Sequence, residues 1–360
     1  MEIGIVGLPY SGKSTLFATL LNLKADSGQQ GKAAAERGII KVPDERLDKL
    51  TAMFNPKKKV NATIEFLKVP GLEGDGTTPQ GLPAQFMANL KNVDAILVMV
   101  RAFENDYFPH PLGRVDAAKD IEFINSEFLL SDMAIVETRV EKLEKQVLKI
   151  KDDKLKRELE IMKKLQAQLE QEKPIRELDL SEDEKHILKT YQFLTAKAVL
   201  FVINIAEEEI GNENTIEKQF SSYKGQNCEI TSLSAEIEKE ISELSDEDAE
   251  VFMEDLGIKE PALQKLIRRS YELLGLMSFF TVGEDECRAW TIRNNSKAPK
   301  AASAIHDDFE RGFIRAEVIA YDDFMKHGSE AKCREEGVLK TQGKEYIVQD
   351  GDIIHFLFNV

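Results

Sequence analysis

The feature that most constrains this 360-residue sequence is a glycine-rich loop close to its N-terminus, between an apolar run and a helical one. Gly7, Gly12, Lys13 and Ser14 match the pattern Gly-x-x-x-x-Gly-Lys-Ser at all fixed positions. The glycines let the backbone turn its N–H groups toward a phosphate, and the N-terminus of the following helix adds a positive field. A loop of this kind after a strand is a P-loop, so the sequence predicts a nucleoside triphosphate site.

Each part of this loop has a predicted task. We expect the backbone amides to surround the phosphates and Lys13 to reach the β- and γ-phosphates. The Ser14 hydroxyl is the predicted ligand of Mg²⁺. The predicted phosphate-binding residues are Gly7, Leu8, Pro9, Tyr10, Ser11, Gly12, Lys13, Ser14 and Thr15.

Short apolar runs alternate with helical stretches over residues 1–125. Residues 3–6, 64–69 and 95–100 are predicted strands, and the alternation predicts a parallel sheet with helices on both faces. The buried-strand pattern returns at residues 196–205. Residues 1–125 and 196–276 are therefore the predicted nucleotide-binding domain, an α/β P-loop NTPase of doubly wound, GTPase-like type.

Residues 126–195 interrupt this alternation with a long helical pattern. An apolar stripe that includes Ile150 is followed by a slip in the spacing at residues 151–154, which predicts two antiparallel helices joined by a short turn, an inserted coiled-coil arm. Residues 141–180 carry 11 Lys/Arg against 10 Asp/Glu, whereas the whole chain carries a net charge of −16. Such a charged helix surface is usually only a solvated face; the other interpretation is that it docks on a partner.

The last part of the chain, residues 277–360, has one helical pattern among four or five short strand patterns. That combination predicts a small C-terminal domain of β-grasp type. The Asp350-Gly351-Asp352 string supplies a tight turn between two of these strands.

Composition excludes several classes of protein. A net charge of −16 argues against free DNA binding, because phosphate backbones require a basic surface. Cys228, Cys287 and Cys333 have no Cys-x-x-Cys spacing, which argues against a zinc site and for a reducing compartment. The apolar runs are too short to span a membrane and no signal peptide is recognisable. We expect a cytoplasmic monomer.

The predicted base site follows a late strand, at Asn204-Ile205-Ala206-Glu207. GTP-binding proteins of this fold read guanine with Asn-Lys-x-Asp at this place, and both the Lys and the Asp are absent here. Adenine has no N1–H to donate, so this loss favours ATP over GTP. The alternative is that Glu207 is only surface charge. The predicted base contacts are Asn204, Ile205, Glu207 and, from a second loop, Ser234 and Ala235.

Several longer strings resemble the Obg-like ATPase family, the YchF proteins, and the resemblance covers essentially the whole chain. They are Val42-Pro43-Asp44-x-Arg46-Leu47, Phe103-Glu104-Asn105-Asp106, Arg288-Ala289-Trp290-Thr291-Ile292 and Asp350-Gly351-Asp352. The resemblance implies a GTPase-like domain, an inserted coiled coil and a C-terminal TGS (β-grasp) domain. It also implies hydrolysis of ATP in preference to GTP, and association with the ribosome.

The resemblance also implies candidate residues for hydrolysis. In this family a hydrophobic residue replaces the catalytic glutamine of ordinary GTPases, and the matching position is Leu72. A histidine that helps to position the attacking water matches His110, and a glycine that contacts the γ-phosphate matches Gly71. His110 and Lys13 are therefore the candidate catalytic residues.

The chain departs from the family on the metal side of the site. Lys68 occupies the position of the family's Asp, which holds a water on Mg²⁺, and residues 29–37 lack the expected Thr. Tyr10 and Ser11 replace the usual Asn-Val of the loop. A cation about 4 Å from the metal would oppose its binding by roughly 4 kcal/mol at an effective dielectric constant of about 20.

The sequence therefore leaves three functions open. The first is a slow ATPase that acts as a nucleotide-dependent switch on the ribosome. The second is a hydrolysis-impaired nucleotide-binding adaptor, which Lys68 favours. The third is a GTP-specific GTPase, against which Glu207 argues.

Overall fold

The computed structural model describes residues 1–22, 36–69 and 82–359. The strands are β1 Glu2–Gly7, β2 Glu36–Lys41, β3 Lys58–Val60, β4 Thr63–Lys68, β5 Ala95–Arg101, β6 Ala198–Asn204, β7 Cys228–Leu233, β8 Leu276–Thr281, β9 Glu286–Arg293, β10 Phe313–Ile319, β11 Lys340–Gln342 and β12 Ile353–Phe358. The helices are α1 Lys13–Asn22, α2 Glu45–Phe54, α3 Ala84–Leu90, α4 Ala117–Val147, α5 Asp153–Leu169, α6 Glu182–Leu188, α7 Glu213–Gln219, α8 Ala235–Glu243, α9 Asp246–Asp255, α10 Ala262–Leu273, α11 Ala298–Ala302, α12 Asp307–Arg311, α13 Tyr321–His327 and α14 Glu330–Glu335.

The chain separates into two compact units, one of residues 1–39 and 65–266 and the other of residues 40–64 and 267–360. This grouping assigns residues 40–64 differently from the sequence analysis, which assigned them to the nucleotide-binding domain. The limits of the predicted domains stay a prediction. Each described helix is too short or too polar to cross a bilayer.

The first unit is built on a sheet of order β2-β4-β1-β5-β6-β7. β1 pairs in parallel with β4 and β5, β5 with β6, and β6 with β7, so these strands end at the same edge. All seven residues of β5 are buried, as expected for a central parallel strand covered on both faces. The predicted α/β fold with a parallel sheet is confirmed.

The two long helices α4 and α5 pack against each other in this unit. Their shared core includes Leu143, Met162 and Leu165. Ile150, which the apolar spacing placed in the same stripe, is 54% exposed. That detail of the prediction is wrong because α4 ends at Val147, so Ile150 lies in the turn before α5.

A buried carboxylate attaches α4 to the segment that precedes β6. The Oδ1 atom of Asp132 accepts a hydrogen bond from the Leu194 N–H at 3.0 Å, and Oδ2 accepts from the N–H and hydroxyl of Thr195, both at 2.7 Å. Asp132 is fully buried, and burial raises the pKa of its carboxyl group. Hydrogen bonds from the three donors offset part of the free-energy cost of burying the carboxylate. Without the carboxylate, the three donors would in turn be buried with no acceptor.

The second unit contains a mixed sheet of order β11-β10-β12-β8-β9-β3. β10 is antiparallel to β11 and β12, β8 is antiparallel to β9, and β12 and β8 are parallel. Its last strand, β3, comes from the first sixty residues of the chain and pairs in parallel with β9. Sequence patterns predicted β8, β9, β10 and β12 but neither β3 nor β11, because three residues are too few to show a period.

Arg46 explains why the Asp44-x-Arg46 and Asp350-Gly351-Asp352 strings both occur in this unit. Its guanidinium donates to Asp44 Oδ2 at 2.9 Å and to Asp350 Oδ2 at 2.7 Å, and it lies 5.2 Å from the centre of the Phe280 ring. Gly351 has φ +88°, and a Cβ there would lie 2.8 Å from Arg46 Nη1. These contacts join residues 40–64 to the C-terminal strands.

The substitution Asp132→Ala should lower the free energy of unfolding by about 2–4 kcal/mol, because it leaves three buried donors without an acceptor. Urea denaturation followed by circular dichroism measures this. Glu137→Ala, on the exposed face of the same helix, is the control and should change stability by less than about 0.5 kcal/mol. Equal effects of the two variants would contradict the assignment.

Candidate functional site

A cavity of about 620 Å³ lies at the carboxyl edge of the first sheet. Its walls come from the loop between β1 and α1, from the segment after β5, and from the segments that follow β6 and β7. It brings together most of the residues predicted from sequence. These are Tyr10, Ser11, Gly12, Lys13, Ser14, Thr15, Asn204, Ile205, Glu207, Ser234 and Ala235.

The two glycines of the loop are required by close backbone approach. A Cβ on Gly7 would lie 2.2 Å from the Met99 carbonyl oxygen, and a Cβ on Gly12 would lie 2.3 Å from Asn204 Nδ2. Gly12 also has φ +99°, which an L side chain rarely adopts. Both glycines therefore let the loop lie directly on the ends of the neighbouring strands.

Lys13 begins α1 and is mostly buried. Its ammonium donates to the Leu8 carbonyl at 2.7 Å, so the side chain folds back along the loop. Ser14 is exposed and lines the cavity. Leu8 and Pro9 are buried residues of the same loop, and like Gly7 they do not line the cavity.

Asn204, the last residue of β6, is 3% exposed and makes two hydrogen bonds with the protein. Its Nδ2 donates to the Ser11 carbonyl at 3.0 Å, and its Oδ1 accepts from the Ala235 N–H at 3.0 Å. The amide therefore connects the phosphate loop to the start of α8. The base contact predicted for Asn204 stays a prediction.

The other predicted base residues surround the same end of the cavity. The Ile205 N–H donates to the Leu233 carbonyl at 3.0 Å, which aligns the ends of β6 and β7. Ser234 is mostly buried, whereas Glu207 is exposed at the start of a 3₁₀ turn. The Glu207 carboxylate is thus exposed to a ligand that binds in the cavity.

Sequence reasoning missed Arg101, which is 1% exposed and lines the cavity. Its Nε donates to the Phe103 carbonyl at 2.8 Å, and its Nη1 donates to the Phe108 carbonyl at 2.7 Å. Nη2 is buried and has no hydrogen-bond partner among the described residues. Burial lowers the pKa of Arg101. The sequence feature that indicates Arg101 is its place as the last residue of an otherwise apolar strand.

Two partly exposed aromatic rings meet at this cavity. Tyr10 of the phosphate loop stacks on Phe108, with ring centres 5.4 Å apart and an interplanar angle of 30°. Tyr10 has φ +61°, a left-handed conformation that is uncommon for a bulky residue. Both rings line the cavity.

His110, the predicted catalytic residue, is buried and does not line the cavity. Its Nδ1 accepts from the Leu112 N–H at 3.2 Å, and its Nε2 lies 2.7 Å from Asp120 Oδ2. Arg114 pairs with the other oxygen of Asp120 at 3.1 Å, and burial raises the pKa of that carboxyl group. The structure therefore does not bring His110 to Lys13, and its catalytic role stays a prediction.

Some of the residues predicted to lie near Mg²⁺ are among the described residues, and Lys68 is one of them. Among the described residues there is no group of three or more His, Cys, Asp or Glu side chains that could hold a metal. Lys68 ends β4 beside Ile5 of β1 and is half-buried. Gly71, Leu72 and residues 29–35 lie outside the described residues.

The substitution Gly12→Ala should weaken nucleotide binding at least about tenfold, because its Cβ would displace the Asn204 amide from the loop. Isothermal titration calorimetry with ATP measures this. Gly343→Ala places a methyl group where nothing lies within 4 Å and is the control. An affinity unchanged by Gly12→Ala, in a protein that still folds, would contradict the assigned contact.

Two family models match the chain. Residues 2–232 match the model described as 50S ribosome-binding GTPase. Residues 276–359 match the YchF-GTPase_C model, which is described as a protein of unknown function (DUF933).

Individual relatives match over the full length. The ribosome-binding ATPase YchF of Bacillus subtilis is 44% identical and that of Escherichia coli O157:H7 is 39% identical, covering 100% of this chain and at least 99% of each relative. The solved structure of the Schizosaccharomyces pombe YchF GTPase has a TM-score of 0.88 at 33% identity, covering 99% of this chain and 97% of that one. The chain has a P-loop cavity at the edge of its parallel sheet and matches YchF proteins along its whole length, so it belongs to the YchF family.

Proposed function

We propose that this protein binds ATP in the cavity at the edge of the first sheet and hydrolyses it slowly, as a switch that acts on the ribosome in the cytoplasm. One observation carries the proposal: a complete phosphate loop and a base-side segment share one cavity and are joined through Asn204. The names of the relatives, ribosome-binding ATPases, support the substrate and the partner.

The phosphate end of the cavity has the donors that a triphosphate needs. The loop backbone and the N-terminus of α1 provide a positive field for anions. Lys13 donates to the Leu8 carbonyl at 2.7 Å, and we expect it to exchange this bond for one to the β- and γ-phosphates. The bond to phosphate joins a cation to an anion, whereas the carbonyl oxygen is neutral, so the bond to phosphate is the stronger of the two.

The base end favours adenine over guanine. Guanine recognition depends on a carboxylate placed to accept from N1–H and N2–H₂, and the usual Asp is absent here. Glu207 is exposed at the cavity, and we propose that it contacts the adenine side of ATP. Asn204 acts by positioning the loop against Ala235, since both ends of its amide are engaged.

Mg²⁺ would supply charge neutralisation at the phosphates when it is bound. Ser14 can provide one oxygen ligand, and Mg²⁺ commonly takes its other ligands from substrate phosphates and water. Lys68 replaces the carboxylate that would help to hold this ion. We therefore propose weak metal binding and slow turnover.

The substitution Lys13→Ala should abolish phosphate release from ATP, because it removes the cation that binds the phosphates. His110→Ala should lower kcat while the affinity for ATP stays unchanged, if His110 leaves Asp120 to position water. A malachite-green assay with ATP and with GTP, each with Mg²⁺, measures turnover.

His186→Ala, at an exposed position on α6, is the control for the histidine variant. Turnover that is equal in the wild type and in Lys13→Ala would exclude the ATPase proposal. A lower Kd for GTP than for ATP in direct competition would exclude the proposed base preference and favour the GTP-specific alternative.

Lys68 favours a second candidate, the hydrolysis-impaired adaptor. In that case ATP would be a structural ligand, and its affinity would be nearly the same with Mg²⁺ and with EDTA. Calorimetry under both conditions separates the candidates, because a hydrolysing site needs the ion at its phosphates.

We propose that the tip of the helical arm contributes to ribosome binding. From Lys142 to Arg157 the sequence has seven Lys/Arg and three Asp/Glu. The nearby ion pairs, Lys156–Asp153 and Lys163–Glu144, leave five exposed lysines without an ion pair among the described residues. These are Lys142, Lys145, Lys149, Lys151 and Lys154. Such a local basic surface on an acidic chain suits the phosphate backbone of RNA.

The triple substitution Lys145→Glu, Lys149→Glu and Lys151→Glu should weaken ribosome co-sedimentation at least about tenfold near 100 mM salt, because these cations would no longer displace counterions from RNA. It should also reduce the salt dependence of binding. The control makes the same charge change at exposed lysines elsewhere in the first unit, Lys189, Lys218 and Lys259. Equal losses in both triples would indicate an effect of net charge alone.

A further inference from the structure

The stack of Tyr10 and Phe108 joins two segments that line the nucleotide cavity. Tyr10 belongs to the phosphate loop, and Phe108 belongs to the segment that follows β5. Both rings line the cavity and remain about half exposed, at 48% and 53%. A contact between two lining residues that are also open to solvent lies at the rim of the cavity.

The Phe108 side of this contact is held in place. Arg101 donates to the carbonyls of Phe103 and Phe108, so it fixes both ends of the segment between them. Inside the segment, Asn105 Oδ1 accepts from the N–H groups of Tyr107 at 3.0 Å and Phe108 at 3.1 Å. Phe108 is therefore presented to Tyr10 on an ordered turn.

The Tyr10 side is unusual for its backbone. A φ of +61° is sterically costly for a bulky residue and is better tolerated by Asn or Gly. An aromatic ring at a position of this backbone conformation, packed on a second exposed ring, indicates a use for the ring itself.

We propose that Tyr10 and Phe108 form an aromatic clasp across the mouth of the cavity, which opens whenever a nucleotide enters or leaves. This inference rests on the proposed function, because the clasp needs a nucleotide to retain. The clasp is closed in the free protein and closes again over the bound nucleotide, so it slows both association and dissociation. An offset aromatic pair has the strength to change each rate by about two- to tenfold.

The test measures both rates by stopped-flow fluorescence with the full-length protein and N-methylanthraniloyl-ATP. Tyr10→Asn removes the ring with a residue suited to the left-handed backbone, and Phe108→Ala removes the partner ring. Each variant should raise the association and dissociation rates by a similar factor of about two to ten. The double variant should be no faster than the single ones, because either change alone removes the stack.

Tyr107→Ala is the matched control, since Tyr107 is 90% exposed, adjacent to Phe108 and absent from the lining of the cavity. It should keep both wild-type rates, and faster exchange in this variant would overturn the clasp. Faster dissociation alone in the clasp variants, or no change in either rate, would also overturn it. If the wild type fails to bind the labelled ATP, the proposed function itself fails.

Discussion

The amide of Asn204 is the contact on which the candidate site depends. It accepts from the start of α8 and donates to the phosphate loop, so it connects the ends of β1, β6 and β7, with β5 lying between β1 and β6 in the sheet. The connection is possible only because Gly12 has no Cβ at the place where the amide lies. A parallel sheet places the ends of its strands at one edge. The Asn204 side chain holds the loops that follow these strands together, so that they enclose a single cavity.

Much of this arrangement could be predicted because it is encoded locally. The phosphate loop is a contiguous string with a fixed backbone requirement, and the buried strands are short apolar runs that any window along the chain detects. The two long helices of the arm are likewise visible in the sequence, as apolar stripes within residues 125–172, which contain no Pro or Gly. The error there concerned Ile150, where the period continues past the end of the helix into the turn.

The remaining features arise from contacts between distant or irregular segments. Asn204 was predicted to face a base, but nothing in its own neighbourhood reveals that both ends of its amide are engaged by protein. His110 is paired with Asp120, which the sequence shows only as one of many acidic residues in α4. Arg101 was overlooked because a strand-ending arginine looks like a surface residue until the segment after it folds back over the guanidinium.

The pairing of β3 with β9 limits how the second unit can be expressed or exchanged as a fragment. The strand and Arg46 belong to a segment between β2 and β4, yet their partners β9 and Asp350 lie more than two hundred residues later. A fragment limited to residues 276–359 would have an uncovered edge on β9, and Asp350 would lose its ion pair with Arg46. The C-terminal segment alone therefore lacks one strand of its sheet, and a domain exchange that follows only its contiguous boundary would combine β9 with a β3 from a different protein.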